Sequence, residues 1–296
     1  MKFRQFLLRL IYKLPALSSR RALYICYNRR IPHFRNPVTF SEKINWRILN
    51  DRRPLLEWTC DKLAMKEHVR TVPGLLVPHT LWTGSSLREL ETVELPEHWV
   101  LKPNHRSGPV YFGHGRPDLA SLTTMTREWV RPAQAEDMHE WAYEKAQPLL
   151  LAEELLGVPG SPPPDYKFYV FAGRPAAVLV VVDRHNKHQL RFYLPDWSPL
   201  EVSSGNHPLA PVEPPPENLE EMLWIASEIG RPFDFMRVDL YNISGTTAFG
   251  EVTPYAGSGL DRFPKSFDIE LGSNWQLPHS SRKPRQIIRP KRAVVS

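Results

Sequence analysis

Two apolar runs, each folded back on itself by a two-residue turn, constrain this chain more than any other feature. "DYKFYVF" and "AAVLVVVDRH" flank Ala172-Gly173, while the halves of "FMRVDLYNISGTTAFGEVTPY" meet around Ser244-Gly245. A two-residue connection joins only antiparallel neighbours, because parallel strands need a crossover of a dozen or more residues. Helical segments lie around these hairpins: "NPVTFSEKINWRIL", capped by Thr39 or Ser41 and running toward Asn50; "WTCDKLAMKEHVRTV", ended by Pro73-Gly74; "DMHEWAYEKAQ"; and a stretch that stops at Gly230. Mixed helices and antiparallel hairpins predict an α+β protein, not a doubly wound parallel sheet.

A chain of 296 residues, 42% hydrophobic, can bury a sizeable core. Its two cysteines, Cys26 and Cys60, fit no disulfide framework or zinc spacing, which points to a reducing, cytoplasmic setting. Charge is segregated. Residues 1–53 hold thirteen Lys and Arg against Glu42 and Asp51, and the tail "SSRKPRQIIRPKRAVVS" is basic without acids, so the body between them is net acidic. With no RNA-binding signature or zinc finger, nucleic acid is not the expected partner. The tail reads as disordered. The leader "MKFRQFLLRLIYKL" is interrupted by Arg9 and Lys13, so it is neither signal peptide nor membrane span. Lys2, Arg9 and Lys13 cluster on one side of its helical wheel, which suits either an anionic membrane surface or a basic-faced helix packed on the body.

Alternation along the last hairpin places Arg237, Asp239 and Tyr241 on one face, with Phe249, Glu251 and Thr253 expected to join them from the partner strand. A turn at Ser244-Gly245 sets Asp239 opposite Glu251, and two carboxylates about 5 Å apart require a cation or a proton between them. Either Mg²⁺ or Mn²⁺ answers this with hard oxygen ligands, or Arg237 closes a purely structural network.

There is no Walker A sequence and no G-x-G-x-x-G. Phosphates would have to be held otherwise, and "VLKPNHRSGPV" offers Lys102 at a strand end followed by a polar loop with Asn104, His105, Ser107 and Gly108. In "LLLAEELLG", alternation sends Glu153 and Glu154 to opposite faces. Lys167 lies among aromatics in "DYKFYVF", and "VVVDRH" ends a strand in Asp183-Arg184.

Taken in order, "CDKLAMKEHV", "VLKPNHRSG", "AEELL", "DYKFYVFAGRP", "VDRH", "FDFMRVDLY" and "FGEVTPYAGSG" make the chain resemble the ATP-grasp superfamily, more closely its TupA-like branch associated with teichuronopeptide and other surface-polysaccharide assembly. The resemblance implies a two-lobed ATP-grasp fold: a basic helical extension over 1–53, a smaller lobe over 54–150, a larger lobe over 151–278 and a basic tail over 279–296. It implies that Lys62, Lys102, His105, Ser107 and Gly108 meet the phosphates of ATP, and that Glu153, Glu154, Leu155 and Leu156 form a hinge at the adenosine. Lys167 and Arg184 would then lie along the phosphates, with Asp239, Glu251 and Thr253 around Mg²⁺ and Arg237 at the transferring phosphoryl group.

The reaction implied is ADP-forming ligation through an acyl phosphate, joining an amine or amino acid to a uronic-acid-type carboxylate of a surface glycan at the inner face of the membrane. Two positions depart from the branch: Arg106 stands where its phosphate loop favours glycine, and Thr253 where many ATP-grasp enzymes carry asparagine. "GSGLDRF" offers Gly257, Ser258 and Gly259 either as a nest of N–H donors for an acceptor carboxylate or as a plain turn. The rival readings are a glycosyltransferase of polysaccharide assembly, an ATP-dependent phosphotransferase acting on a hydroxyl, and a non-catalytic binding module.

Overall fold

The structure is a computed structural model and describes residues 2–131, 137–160, 163–182, 189–205 and 207–278, with side chains described from residue 6 onward. Asp183, Arg184 and the 279–296 tail lie outside the described residues. The leader forms α1 (Lys2–Tyr12) and, after Pro15, α2 (Ala16–Asn28). These two helices share a small apolar cluster in which Ile11 and Leu23 meet Leu260. The third helix, α3 (Phe40–Asn50), begins where the Thr39 hydroxyl accepts from the Glu42 amide and the Glu42 carboxylate accepts from the Thr39 amide, a closed capping box. Phe40, Ile44 and Ile48 from α3 enter the main core. The N-terminal segment is therefore built into the body, not appended to it.

Two of the expected helices are shorter than the sequence suggests. "WTCDKLAMKEHVRTV" makes a 3₁₀ turn over Pro54–Cys60 and restarts at α4 (Lys62–Val69), because Asp61 caps the Ala64 amide and breaks the run. Within "DMHEWAYEKAQ" the left-handed backbone of His139 (φ 56°) stops helical propagation, leaving a 3₁₀ turn at Trp141–Lys145.

The smaller sheet contains β1 (Thr80–Gly84), β2 (His98–Pro103), β3 (Tyr111–His114) and β4 (Leu150–Glu154) in the order β1-β4-β2-β3, all antiparallel. Helix α5 (Leu119–Thr126) sits over its apolar face, where Trp82, Trp99, Leu101, Leu122 and Leu150 pack together. β4 pairs with β2 as far as Glu154, so the boundary expected at residue 150 falls inside a strand that belongs to the small lobe.

The larger sheet contains β5 (Asp165–Phe171), β6 (Arg174–Val182), β7 (Gln189–Tyr193), β8 (Pro199–Leu200), β9 (Met236–Ile243) and β10 (Thr246–Thr253) in the order β10-β9-β5-β6-β7-β8. Both hairpin turns place two consecutive residues in left-handed backbone: Ala172 and Gly173 (φ 47° and 78°), and Ser244 and Gly245 (φ 51° and 88°). That geometry matches the twist of the flanking strands. Helices α6 (Leu219–Gly230) and α7 (Lys265–Ser273) contribute Met222, Ile225, Phe267 and Leu271 to the main core. Between α4 and β1 the chain passes along the edge of β10, where Leu76 donates to the Thr247 carbonyl and accepts from the Phe249 amide. This contact joins the lobes through backbone. No described helix is long and apolar enough to cross a membrane.

Candidate functional site

The hairpin register is set by a bulge. From the turn outward, Thr246 pairs with Ile243 and Phe249 with Leu240; Gly250 is then passed over and Glu251 pairs with Asp239, Val252 with Val238 and Thr253 with Arg237. The extra residue brings Glu251 to the face of Asp239, and it places Phe249 on the opposite, apolar face with Leu240. Phe249 is thus not on the charged face, as simple alternation expects. A Cβ on Gly250 would stand 2.9 Å from the Asp239 carbonyl oxygen, which explains the glycine.

β5 extends this face, since Lys167 pairs with Asp239 and Tyr169 with Arg237. The Arg237 guanidinium grips Asp239 bidentately (Nε–Oδ1 2.7 Å and an Nη2–Oδ2 contact of 2.8 Å) and reaches Glu251 Oε1 at 3.3 Å and Thr253 Oγ1 at 3.5 Å. Lys167 Nζ lies 2.6 Å from both Asp239 Oδ2 and Asp165 Oδ2. Burial pushes the Asp239 carboxyl up, but Arg237 and Lys167 outweigh it and hold the group below its ordinary value. Burial lowers Arg237, yet Asp239 more than compensates and the guanidinium stays charged. Three carboxylates face two cations here.

On the small sheet, Glu153 pairs with Val100 and so shares the face of Lys102, whereas Glu154 turns away and accepts from the His79 amide at 2.7 Å. Glu153 is the buried anion between two lysines, with Lys66 Nζ at 2.6 Å and Lys102 in closer contact. Burial raises the Glu153 carboxyl, and the two lysines together bring it below its usual value. Lys62, at the start of α4, donates to the Arg106 carbonyl at 2.6 Å. Burial lowers its ammonium to about 8, against the pull of Glu251 from the large lobe and with the push of Lys102 from the small one. Lys62 is thus within the fields of both Glu251 on the large lobe and Lys102 and Glu153 on the small one.

The loop between β2 and β3 is fastened from inside. Asn104, fully buried, accepts from the Leu63 amide and donates to the Gln147 carbonyl. His105 is 2% exposed with Nε2 against the Arg131 carbonyl at 3.3 Å, so it supports the loop from within instead of facing the cleft as expected. Arg106 turns its side chain to the Glu128 carbonyl at 2.8 Å. Ser107 and Gly108 form the exposed tip, with Gly108 at φ 104°.

Two buried arginines outside the strands hold the site's edges. Arg47 donates to the Phe235 and Pro254 carbonyls, at the open end of the β9–β10 hairpin, and to Asp234 Oδ2 at 2.7 Å. Arg20, from α2, bonds the Asn45 side chain at 2.9 Å and both the hydroxyl and the carbonyl of Ser258. Gly257, Ser258 and Gly259 all adopt left-handed backbone (φ 54°, 54° and 61°), and the Ser258 amide donates to the Tyr255 carbonyl at 2.7 Å, so this donor of the expected nest is already committed. Asp261 follows, its carboxyl raised by burial against the opposing fields of Arg237, His207 and Lys167.

Lys62, Lys102 and Glu153 thus gather on the small lobe, and Lys167, Arg237, Asp239, Glu251 and Thr253 on the large one. Arg184 lies outside the described residues. Lys66, Asp165 and Asp261 join these clusters without being expected from the sequence. Asp165 was legible, because it stands two positions before Lys167 on the same strand face, the relation that Arg237 bears to Asp239. Lys66 was legible only as a residue one helical turn beyond Lys62. The oxygen-only donor set suits a hard cation. Three carboxylate oxygens do not converge here within 4.8 Å, and Asp239 is engaged by Arg237 and Lys167, so a Mg²⁺ ion held by Asp239 and Glu251 would draw most of its shell from water and phosphate. Glu154 and Leu155 line a cavity of ≈ 510 Å³ with Leu81, Glu94, Leu95, Pro96 and His98.

No curated protein matches the chain. Among solved structures it is similar to a D-alanine–D-alanine ligase from Bacillus anthracis (17% identity, TM-score 0.41, 68% of this chain and 59% of that one) and to an L-amino acid ligase from Bacillus licheniformis (12%, 0.45, 83% and 54%). It is also similar to the ATP-grasp ligase PsnB, solved with a minimal precursor, Mg and ADP (13%, 0.37, 68% and 52%). The aligned region spans a little over half the length of each. The model of the TupA-like ATP-grasp family matches residues 42–276, from the capping box of α3 to the end of the large lobe, and the chain belongs to that family.

Proposed function

We propose that the protein is an ATP-dependent, ADP-forming ligase that joins a carboxylate to an amine through an acyl phosphate. One observation carries the reading: a lysine-rich cluster on the small lobe and a carboxylate-rich cluster on the large lobe. Lys62 and Lys102 attract the phosphates, and the Ser107–Gly108 tip closes over them. The Glu154–Leu155 cavity is of a size to take the base. Mg²⁺ on Asp239 and Glu251 would neutralise charge on the phosphates during transfer. Arg237 holds Asp239 in place and offers its guanidinium to the transferring phosphoryl group. The substrate carboxylate takes that group and ADP leaves; the amine then displaces phosphate, giving an amide and releasing a proton. The fixed left-handed turn at Gly257–Gly259 and the adjacent Asp261 border the place where an acceptor would enter.

The finer reading is an amine or amino acid attached to a uronic-acid-type carboxylate in a surface glycan, at an anionic inner membrane face. Supporting the last point, α1, the turn after it and the first turn of α2 expose Phe6, Leu7, Leu10, Leu14 and Leu17 beside Arg9 and Lys13. Because Arg20 is part of the body, Phe6→Ser with Leu10→Ser tests this better than removal of residues 1–20. Release from anionic vesicles supports it, and undiminished binding refutes it.

Thermal unfolding with ATP or ADP, each with and without Mg²⁺, tests the main proposal. A ligand that binds the native state raises the melting temperature by mass action. Stabilisation by Mg·ATP is expected. If neither nucleotide at millimolar concentration shifts the transition and a nucleotide sugar does, the ligase reading fails in favour of glycosyl transfer.

A further inference from the structure

The β2–β3 hairpin carries the candidate phosphate loop at one end and a second group of ligand-type side chains at the other. His98 opens β2 and His114 closes β3, and the two are directly paired in the antiparallel register. Their rings stand 4.9 Å apart, centroid to centroid. Glu97 precedes the strand, its carbonyl accepting from the Gly115 amide at 2.7 Å, and its carboxylate reaches His114 Nε2 at 3.4 Å. One ligand atom from each of the three residues lies within 4.8 Å of the others, the only such set of three or more His, Cys, Asp or Glu among the described residues.

We infer that Glu97, His98 and His114 form a binding site for a divalent transition metal of the zinc class. Two imidazoles and one carboxylate with a position left for water are a recurrent zinc ligand set. Bonds of about 2.0 Å at a tetrahedral angle separate neighbouring ligand atoms by roughly 3.3 Å, close to the Glu97–His114 separation. The His114 and Glu97 side chains are 69% and 74% exposed, so drawing the set together needs only rotation of surface side chains. Imidazole nitrogen favours zinc, nickel and copper over magnesium, which separates this site chemically from the all-oxygen set at Asp239 and Glu251.

Its place in the fold gives it a structural consequence. β3 is an edge strand of the small sheet, held by β2 alone. A metal bridging His98 and His114 ties that edge down at the end of the hairpin opposite the Ser107–Gly108 tip, about 13 Å along β2 from Lys102 at some 3.3 Å per residue. Zinc binding therefore stiffens the element that presents the phosphate loop without needing nucleotide, and because His98 also lines the cavity offered to the base, it does so at that cavity's rim.

The test uses the untagged full-length protein and Zn²⁺ alone, followed by competition with a chromophoric chelator and by thermal unfolding. The expected result is one equivalent of zinc at micromolar or better affinity and a raised melting temperature. His114→Ala and His98→Asn should each weaken binding by at least about tenfold, Asp239→Asn should leave it unchanged, and Mg²⁺ should not compete. His114 lies on the exposed edge and its removal does not threaten folding; circular dichroism confirms that both histidine variants and Asp239→Asn, which breaks a buried pair, are folded before their zinc binding is compared. Three results overturn the proposal: no saturable binding, binding indifferent to both histidine substitutions, or binding abolished by Asp239→Asn, which would place the zinc in the cleft.

Discussion

The two lobes solve the same electrostatic problem with opposite signs. On the small sheet, one carboxylate, Glu153, is held between Lys66 and Lys102, with Lys62 nearby, so the cluster carries excess positive charge. On the large sheet, Asp165, Asp239 and Glu251 surround Lys167 and Arg237, and the excess is negative. Pairing keeps the buried charge tolerable in each, yet a net charge is left over: one negative on the large lobe, and on the small lobe one positive from Lys66, Lys102 and Glu153 that Lys62 raises to two when protonated. A polyphosphate suits the first, a divalent cation the second, and the complex of the two suits both.

Asp239→Asn strikes the comparison hardest. The substitution removes the charge that both Arg237 and Lys167 face, and breaking a buried pair from one side costs about 3–5 kcal/mol. It should also remove the Mg²⁺-dependent part of the stabilisation by ATP while leaving the part due to free ATP, as read from melts with and without Mg²⁺. An unchanged Mg²⁺ increment would show that the acidic cluster is structural only.

Glu153→Gln is the complementary cut and should cost about 3 kcal/mol at neutral pH, because two lysines lose their buried partner. Free ATP should bind at least as well as before, since the lysines are released, and the Mg²⁺ increment should persist. The pH dependence follows from the depressed carboxyl: Glu153 contributes stability above its unfolded value, and this is lost as pH falls through the lower folded value. The gap between the two proteins in urea unfolding should therefore narrow as pH drops below about 4, near the ordinary value for glutamate.

These two clusters were not equally legible in the sequence. The large-lobe set follows from strand alternation, since Arg237 and Asp239 are two apart on one strand and a tight turn fixes what faces them. The small-lobe set mixes a helix, α4, with two strands, and nothing local in "CDKLAMKEHV" says that Lys66 will meet Glu153. The fold class was readable from the turns, whereas helix lengths around Asp61 and His139 were not, because a cap and a single left-handed residue overrode the apolar period. His105 reads as a loop ligand in sequence and becomes a buried brace in structure, a distinction that burial alone decides. The roles of Arg20 and Arg47 lie beyond sequence reasoning, for each fastens backbone carbonyls some two hundred residues away.

Gly250→Ala probes the register on which the large cluster depends. The new Cβ would press on the Asp239 carbonyl oxygen at 2.9 Å and on the Tyr241 ring at 3.1 Å, so the strand must shift. Overpacking of this kind costs about 1–3 kcal/mol. A melting temperature equal to that of the wild type would mean the bulge is easily rearranged, and the pairing of Asp239 with Glu251 would then not be fixed by Gly250.

Lys62 offers the smallest effect and the sharpest sign. With its folded value at about 8 and its ordinary value at 10.5, the native state releases this proton before the unfolded chain does. Across that window the unfolded state binds more protons, so this group makes the nucleotide-free protein more stable as pH rises. Nucleotide binding should run the other way: phosphates favour the charged ammonium, binding takes up a proton, and ATP affinity should fall by less than about tenfold, or 1.4 kcal/mol, between pH 7 and 9. Lys62→Arg keeps the charge at all these pH values and should flatten both trends. If affinity stays level for the wild type while stability still climbs, Lys62 titrates but does not meet the phosphates, and the excess positive charge of the small lobe rests on Lys66 and Lys102 alone.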